Sequence, residues 1–193
     1  MAKLVFFIGP AGAGKTTLAK SLAASSSAVF LDMDTLLQPA ASAVMLAAGL
    51  DPEDRDSPEY KRLCRDLGYR ITMDAALENL QLGSEVYVIG PFTKELSDRY
   101  WLERELEKAG LEDELKNCRA VYVYLENEQL YRTRIEQRGL PLDRWKLENW
   151  NLYRQTLIPK KVEWNLPESH ILHLDNAGPL TQEKLERLKA FIR

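Results

Sequence analysis

A chain of 193 residues has the length of one ordinary domain and can bury a substantial core. Its 45% hydrophobic and 28% charged content excludes disordered and fibrous classes, and a net charge of −3 supplies no basic field to draw nucleic acid. Cys64 and Cys118 lack metal-ligand spacing. No apolar run approaches the ~20 residues that span a bilayer, and Met1-Ala2-Lys3 leads into an apolar stretch too short for a signal peptide. The expectation is a reduced, cytoplasmic chain, monomeric or homodimeric, without membrane contact.

In chain order, Leu4–Ile8 is continuous, apolar and ended by Gly9-Pro10, which reads as a fully buried strand. A helix is expected from about Lys15 to Ala24, then a second strand over Ala28–Leu31 that ends at Asp32. A long helical region follows, broken at Asp51–Pro58; beyond the break, Tyr60, Leu63, Cys64, Leu67, Ile71 and Ala75 recur at helical spacing. Val86–Ile89 reads as a third strand closed by Gly90-Pro91, and Glu95–Ala109 as one amphipathic helix ending at Gly110. Ala120–Leu125 is the fourth strand, and a helix over Glu128–Arg138 stops at Gly139–Pro141. A Trp-rich helical stretch covers roughly Asp143–Leu157. Ile171–Leu174 is the fifth strand, and Thr181 N-caps a last helix that reaches Ile192. Five apolar strands separated by helices predict a doubly wound α/β fold, a parallel sheet covered on both faces, in a single domain over residues 1–193.

Gly9-Pro10-Ala11-Gly12-Ala13-Gly14-Lys15-Thr16 matches G-x-x-x-x-G-K-[ST] at every fixed position, with a strand before it and a helix after it. Glycines at 9, 12 and 14 permit backbone dihedrals that turn N–H groups inward around an anion. This is a phosphate-binding loop for ATP or a related triphosphate. Lys15 supplies charge to the β- and γ-phosphates, Thr16 a hydroxyl to Mg²⁺, and Thr17 reaches the α-phosphate.

The rest of the chain narrows the use of that loop. No guanine-reading N-K-x-D element is present, and the strand Val86–Ile89 ends in Gly90-Pro91 without the acid that hydrolysis-driven motors place there. Asp32 and Asp34 instead stand at the C-terminal end of the second strand, where ligands sit in open α/β sheets. Strand alternation projects both to one side. One would then support Mg²⁺ while the other takes a proton from an attacking hydroxyl; in the alternative, both cap the following helix.

Gly9–Thr17 followed by Phe30-Leu31-Asp32-Met33-Asp34 resembles the small P-loop kinases, among them the shikimate and gluconate kinases. The wider layout is similar to AAA-type ATP-binding proteins related to polynucleotide kinases and zeta toxins. The matching stretches are Leu31–Leu36, Glu78-Asn79-Leu80, Gly90-Pro91-Phe92, Arg134-x-x-x-Arg138-Gly139 and Leu142–Leu147. The resemblance implies a three-layer fold with strand order 2-3-1-4-5, and phosphoryl transfer to a hydroxyl. It also implies a helical lid over about residues 132–157, whose Arg134 and Arg138 clasp ATP, with acceptor-side helices at about 35–82. Arg144 is a weaker lid candidate. The loop Asp175-Asn176-Ala177-Gly178 either borders the adenine, as it does in similar kinases, or is a turn.

The sequence therefore predicts a Mg²⁺-assisted, ATP-dependent kinase acting on a small-molecule hydroxyl, with Lys15, Asp34, Asp32, Arg138 and Arg134 as the chemical residues. A polynucleotide 5′-hydroxyl kinase and a non-catalytic nucleotide switch or ATPase are the alternatives. Arg55, Arg65 and Arg70 are candidates to grip an anionic acceptor. His170, His173 and the tryptophans are expected to be structural.

Overall fold

In the computed structural model of the protein, Leu4–Ile8 forms β1 with all five side chains buried, as a strand covered on both faces requires. The structure describes residues 3–193, the side chain of Leu142 aside; Met1 and Ala2 of the presumed non-targeting start lie outside the described residues. Four more strands join β1: β2 (Val29–Asp32), β3 (Val86–Gly90), β4 (Cys118–Tyr124) and β5 (Ile171–Asp175). All neighbours pair in parallel, in the order β2-β3-β1-β4-β5. The register puts Ile8 beside Gly90 on one side and Tyr122 on the other, so β1 and β3 end level, β4 runs two residues further, and their loops open onto one edge.

Side-chain alternation along β1 divides the core. Leu4, Phe6 and Ile8 pack with Met73, Ala76, Leu77 and Leu80 of α3 (Pro58–Gln81) and Leu102 and Leu106 of α4 (Trp101–Lys108). Phe6 and Phe92 meet edge to face at 5.4 Å, and Trp101 stacks on Trp164 at 5.3 Å, so these aromatics are core, as expected. On the opposite face Val5 and Phe7 meet Leu18 and Leu22 of α1 (Lys15–Ala23). Tyr131 and Ile135 of α5 (Glu128–Arg138) and Leu188 and Ile192 of α8 (Gln182–Ile192) complete that layer. Each buried Leu, Ile or Phe is worth about 1.5–3 kcal/mol, so the two layers hold the sheet that aims its loops at the site.

The break read at Asp51–Pro58 separates α2 (Met33–Ala47) from α3, which Ser57 caps by accepting from the backbone N–H of Tyr60. α2 and α3 share a small core of Leu37, Ala41, Met45 and Cys64. They touch closely at Gly68, where a Cβ would meet Leu37 Cδ2 at 2.7 Å.

Two expected helices are corrected. Glu95–Ala109 is not one helix: a 3-10 turn at Glu95–Ser97 is separated from α4 by Asp98-Arg99-Tyr100. Asp98 is extended and accepts from the Tyr100 N–H, while the Glu95 carboxylate is drawn to Arg65 at 2.8 Å. The stretch Asp143–Leu157 is also broken, into α6 (Arg144–Glu148), α7 (Trp150–Tyr153) and flanking 3-10 turns, with the interruption at Asn149. Cys64 and Cys118 are both buried and unpaired, and among the described residues no helix is long and apolar enough to cross a membrane.

Candidate active site

The loop between β1 and α1 is shaped by backbone constraints that only its glycines meet. Gly9 has φ +139°, and a Cβ there would lie 2.1 Å from the Val123 carbonyl oxygen of β4. Gly14, at φ +94°, is the N-cap of α1 and offers no side chain to its first N–H groups. By contrast α2, α3, α5 and α8 are capped by the side chains of Asp32, Ser57, Asn127 and Thr181. The open donors of α1, with its positive dipole end, suit an anion. Thr17 is exposed there.

Lys15 Nζ donates to the Pro10 carbonyl at 2.9 Å, across the loop. Surrounding protein strips water from this ammonium and lowers its pKa to about 8, against the support of Asp34 first and Asp32 second. Thr16 Oγ1 donates to Asp32 Oδ2 at 2.8 Å, while Asp32 Oδ1 accepts the backbone N–H of Asp34 at 3.0 Å. Asp32 thus caps α2, as the alternative reading had it, and joins α2 to the phosphate loop through Thr16. A hydroxyl and a carboxylate side by side form a hard oxygen donor set of the kind that fits Mg²⁺.

Asp34 reaches this group by a route other than the expected one. The chain turns helical at Met33, so strand alternation does not bring the two carboxylates together; the first turn of α2 does. Although Asp34 opens onto solvent, crowding by protein raises its carboxyl above the ordinary range. Lys15 opposes that rise and Asp32 adds to it.

Arg134 and Arg138 occupy different surroundings. Arg134 donates to the carbonyls of Asn176 at 2.8 Å, Ala177 at 3.3 Å and Ala13 at 3.4 Å, tying α5 to the phosphate loop and to the loop after β5. The Asn176 amide also donates to Ala13 O, at 2.9 Å, and its oxygen accepts from Lys184. Its side chain is therefore engaged with the loop itself. Arg138, on the last turn of α5 before the left-handed Gly139, makes a two-pronged ion pair with Asp143 through Nε and, at 2.6 Å, Nη2. The exposed Arg144 pairs only loosely with Glu148, at 3.8 Å.

The structure adds residues that the sequence reading did not single out. Tyr153 Oη donates to Ala11 O at 3.1 Å, bringing α7 onto the phosphate loop. Lys146 lies 3.3 Å from Asp143 and 3.4 Å from Asp56, which belongs to the loop between α2 and α3. The i, i+3 spacing of Asp143 and Lys146 was a weak sequence signal for their pairing; nothing local announces Tyr153 or Asp56. On the β3 side, Phe92 takes a positive φ of 45°, and the Phe92 ring meets that of Tyr69 at 5.1 Å. Burial pushes the Tyr69 phenol well up.

The three arginines suggested for an acceptor are differently placed. Arg65 pairs with Glu95 and Asp66, and Arg70 with Glu105 and Asp74, along a cleft of about 350 Å³. Arg55 donates to Tyr60 Oη at 3.3 Å. The Asp34 carboxylate acts on the Tyr60 phenol, so of the three arginines it is Arg55 whose partner lies within reach of that charge. His170 meets Arg119 at 2.9 Å and His173 lies over Tyr122, both structural.

This sheet order, with a glycine loop between β1 and α1, is a P-loop kinase-like fold. Residues 4–159 match the family model of the AAA domain, and the chain belongs to that family. No curated protein matches it. Among solved structures, a candidate kinase from Chloroflexus aurantiacus is 19% identical, with a TM-score of 0.69 over 100% of this chain and 99% of its own. A sugar kinase from Janibacter is 18% identical, with a TM-score of 0.62 over 100% and 95%. The APS kinase of Mycobacterium tuberculosis, solved with AMPPNP and APS, is 18% identical, with a TM-score of 0.59 over 99% and 97%. At these identities the likeness establishes the fold.

Proposed function

We propose that the protein is an ATP-dependent phosphotransferase that moves the γ-phosphate of ATP to a hydroxyl group of a small molecule. One observation carries this reading. Lys15, Thr16, Asp32 and Asp34 converge at the mouth of the phosphate loop, with Thr16 bonded to Asp32 and with Asp34 the strongest charge supporting Lys15. A loop that only holds a nucleotide has no use for the second carboxylate, whereas transfer to an alcohol needs a base beside the phosphoryl group.

In this scheme the glycine loop and the open N-terminus of α1 seat the phosphates, with Lys15 charged against the β- and γ-oxygens. Thr16 and Asp32 would hold Mg²⁺, which would supply charge neutralisation to the phosphates. Asp34 accepts the acceptor's hydroxyl proton as the new O–P bond forms and the bond to ADP breaks; its raised pKa makes it a stronger base than an ordinary carboxylate. Arg138 adds positive charge near the transferring group, and Arg134 with the Asn176 loop borders the nucleotide. The sugar kinase and APS kinase among the structural neighbours support a small-molecule acceptor, as does the net charge of −3.

The test is radiolabelled phosphate transfer from ATP–Mg²⁺ to panels of sugars, nucleosides, aminoglycosides and 5′-hydroxyl oligonucleotides. Asp34→Asn is expected to lower transfer about 10²-fold or more at neutral pH while ATP still binds. Full activity in both Asp34→Asn and Asp32→Asn would remove the base from this scheme, and transfer confined to oligonucleotides would replace the acceptor class.

A further inference from the structure

We propose that Asp143 is a positioning residue, holding Arg138 and Lys146 toward the phosphate loop while Asp56 extends the same grip to the acceptor-side loop. The inference rests on the phosphotransfer reading above.

Asp143 is completely buried, yet its carboxylate meets two cations from opposite directions. Arg138 approaches from the end of α5 with two donors, and Lys146 from α6 at 3.3 Å. Lys146 also reaches Asp56, ninety residues earlier in the chain, at 3.4 Å. One chain of charges, Arg138–Asp143–Lys146–Asp56, thereby joins the lid region to the acceptor side.

Its cations lie within electrostatic reach of the chemistry. The charges of Lys146 and Arg138 both act on the Asp34 carboxyl, and that of Arg138 also acts on Lys15. Buried ion pairs give little net stability, because desolvation offsets attraction. What a buried carboxylate with two partners does fix is direction. Direction is what Arg138 lacks, since α5 ends at Gly139 and a third of the arginine side chain is open to solvent. Phosphoryl transfer gathers negative charge on oxygens that must find cations already in place. Asp143 sets them there without touching the phosphate.

Calorimetry can separate this role from simple stabilisation. The wild-type protein and Asp143→Asn are titrated with ADP–Mg²⁺, alone and with aluminium fluoride, which mimics the phosphoryl group in transfer. ADP affinity in Asp143→Asn is expected within twofold of wild type, while the tightening produced by fluoride falls at least tenfold. Arg138→Ala is expected to show most of that loss, and Asp143→Asn in that background to add only the several-fold that passes through Lys146, less than it costs alone, as groups acting partly in series do. Unchanged tightening in a destabilised Asp143→Asn, or losses that multiply in the double variant, would overturn the positioning role. If the wild type binds ADP but shows no tightening, the phosphotransfer reading fails, and this inference with it. Should Asp143→Asn not fold, Asp56→Asn carries the test: a loss of several-fold in tightening at unchanged ADP affinity is expected, and full tightening overturns the proposal.

Discussion

The phosphate loop at Gly9–Thr16 is held by backbone packed into the sheet, whereas the segment facing it, residues 139–157, is held by side chains alone: ion pairs, a hydrogen bond and the packing of Tyr153 and Leu157. On the loop side, Gly9 lies against the Val123 carbonyl and Ala13 is fully buried, its carbonyl accepting from Arg134 and Asn176. The facing segment has α-helices of five and four residues, far below the length at which a helix is stable alone. It is fastened through Arg138–Asp143–Lys146, through the Tyr153–Ala11 bond and through Tyr153 and Leu157, buried in the core. Backbone packing gives the precision that phosphate oxygens need. Side-chain attachments can be made and released as a ligand enters, which is the behaviour expected of a lid.

The sharpest way to break that contrast is Gly9→Ala. An alanine at φ +139° is strained in itself, and its Cβ would stand 2.1 Å from the Val123 oxygen, so the loop or β4 must move. A loss of about 3 kcal/mol or more is expected, read as the urea midpoint, with ATP binding abolished. An unchanged midpoint would mean that the loop yields as easily as the segment opposite it.

Titration sharpens the comparison through charge. Lys15 has its pKa lowered to about 8 by desolvation, and phosphates raise it again on binding. Protonated Lys15 is the binding form, so ATP affinity is expected to be flat below pH 8 and to fall above it by about tenfold per pH unit. Nucleotide binding at pH 8.5 should take up a proton, measured by calorimetry in buffers of different ionisation heat. Asp34→Asn removes the largest charge supporting the ammonium, so the fall should begin at lower pH; an unmoved profile would separate Asp34 from Lys15.

How much of this was legible in sequence follows the same division. The strands stood out because Leu4–Ile8, Val86–Ile89 and Ala120–Leu125 are unbroken apolar runs closed by Gly, Pro or acidic residues, and each lies within two residues of its observed bounds. Gly9–Thr16 was legible because backbone geometry demands those residue types in that order. The strand order came from family resemblance, not from periodicity. Hidden from view were contacts between distant segments: Glu95 leaving its expected helix for Arg65, Asp56 meeting Lys146, and Tyr153 reaching Ala11. Each depends on two local patterns meeting in space, and neither pattern alone carries the signal.

The smallest of these effects tests the attachment between the two regions. Tyr153→Phe removes one hydroxyl and leaves Ala11 O without that partner, a cost of about 1 kcal/mol and a melting shift of roughly 2–4 °C. Hydrogen exchange should quicken over residues 140–157 and stay unchanged over β1 and α1, since the sheet holds the loop from behind. Arg144→Ala, in the same segment but paired only at the surface, should change neither quantity, because an exposed pair at 3.8 Å contributes little. Equal effects from the two variants would mean that the segment is held diffusely; a difference confined to Tyr153 would locate its hold on the phosphate loop in a single hydrogen bond.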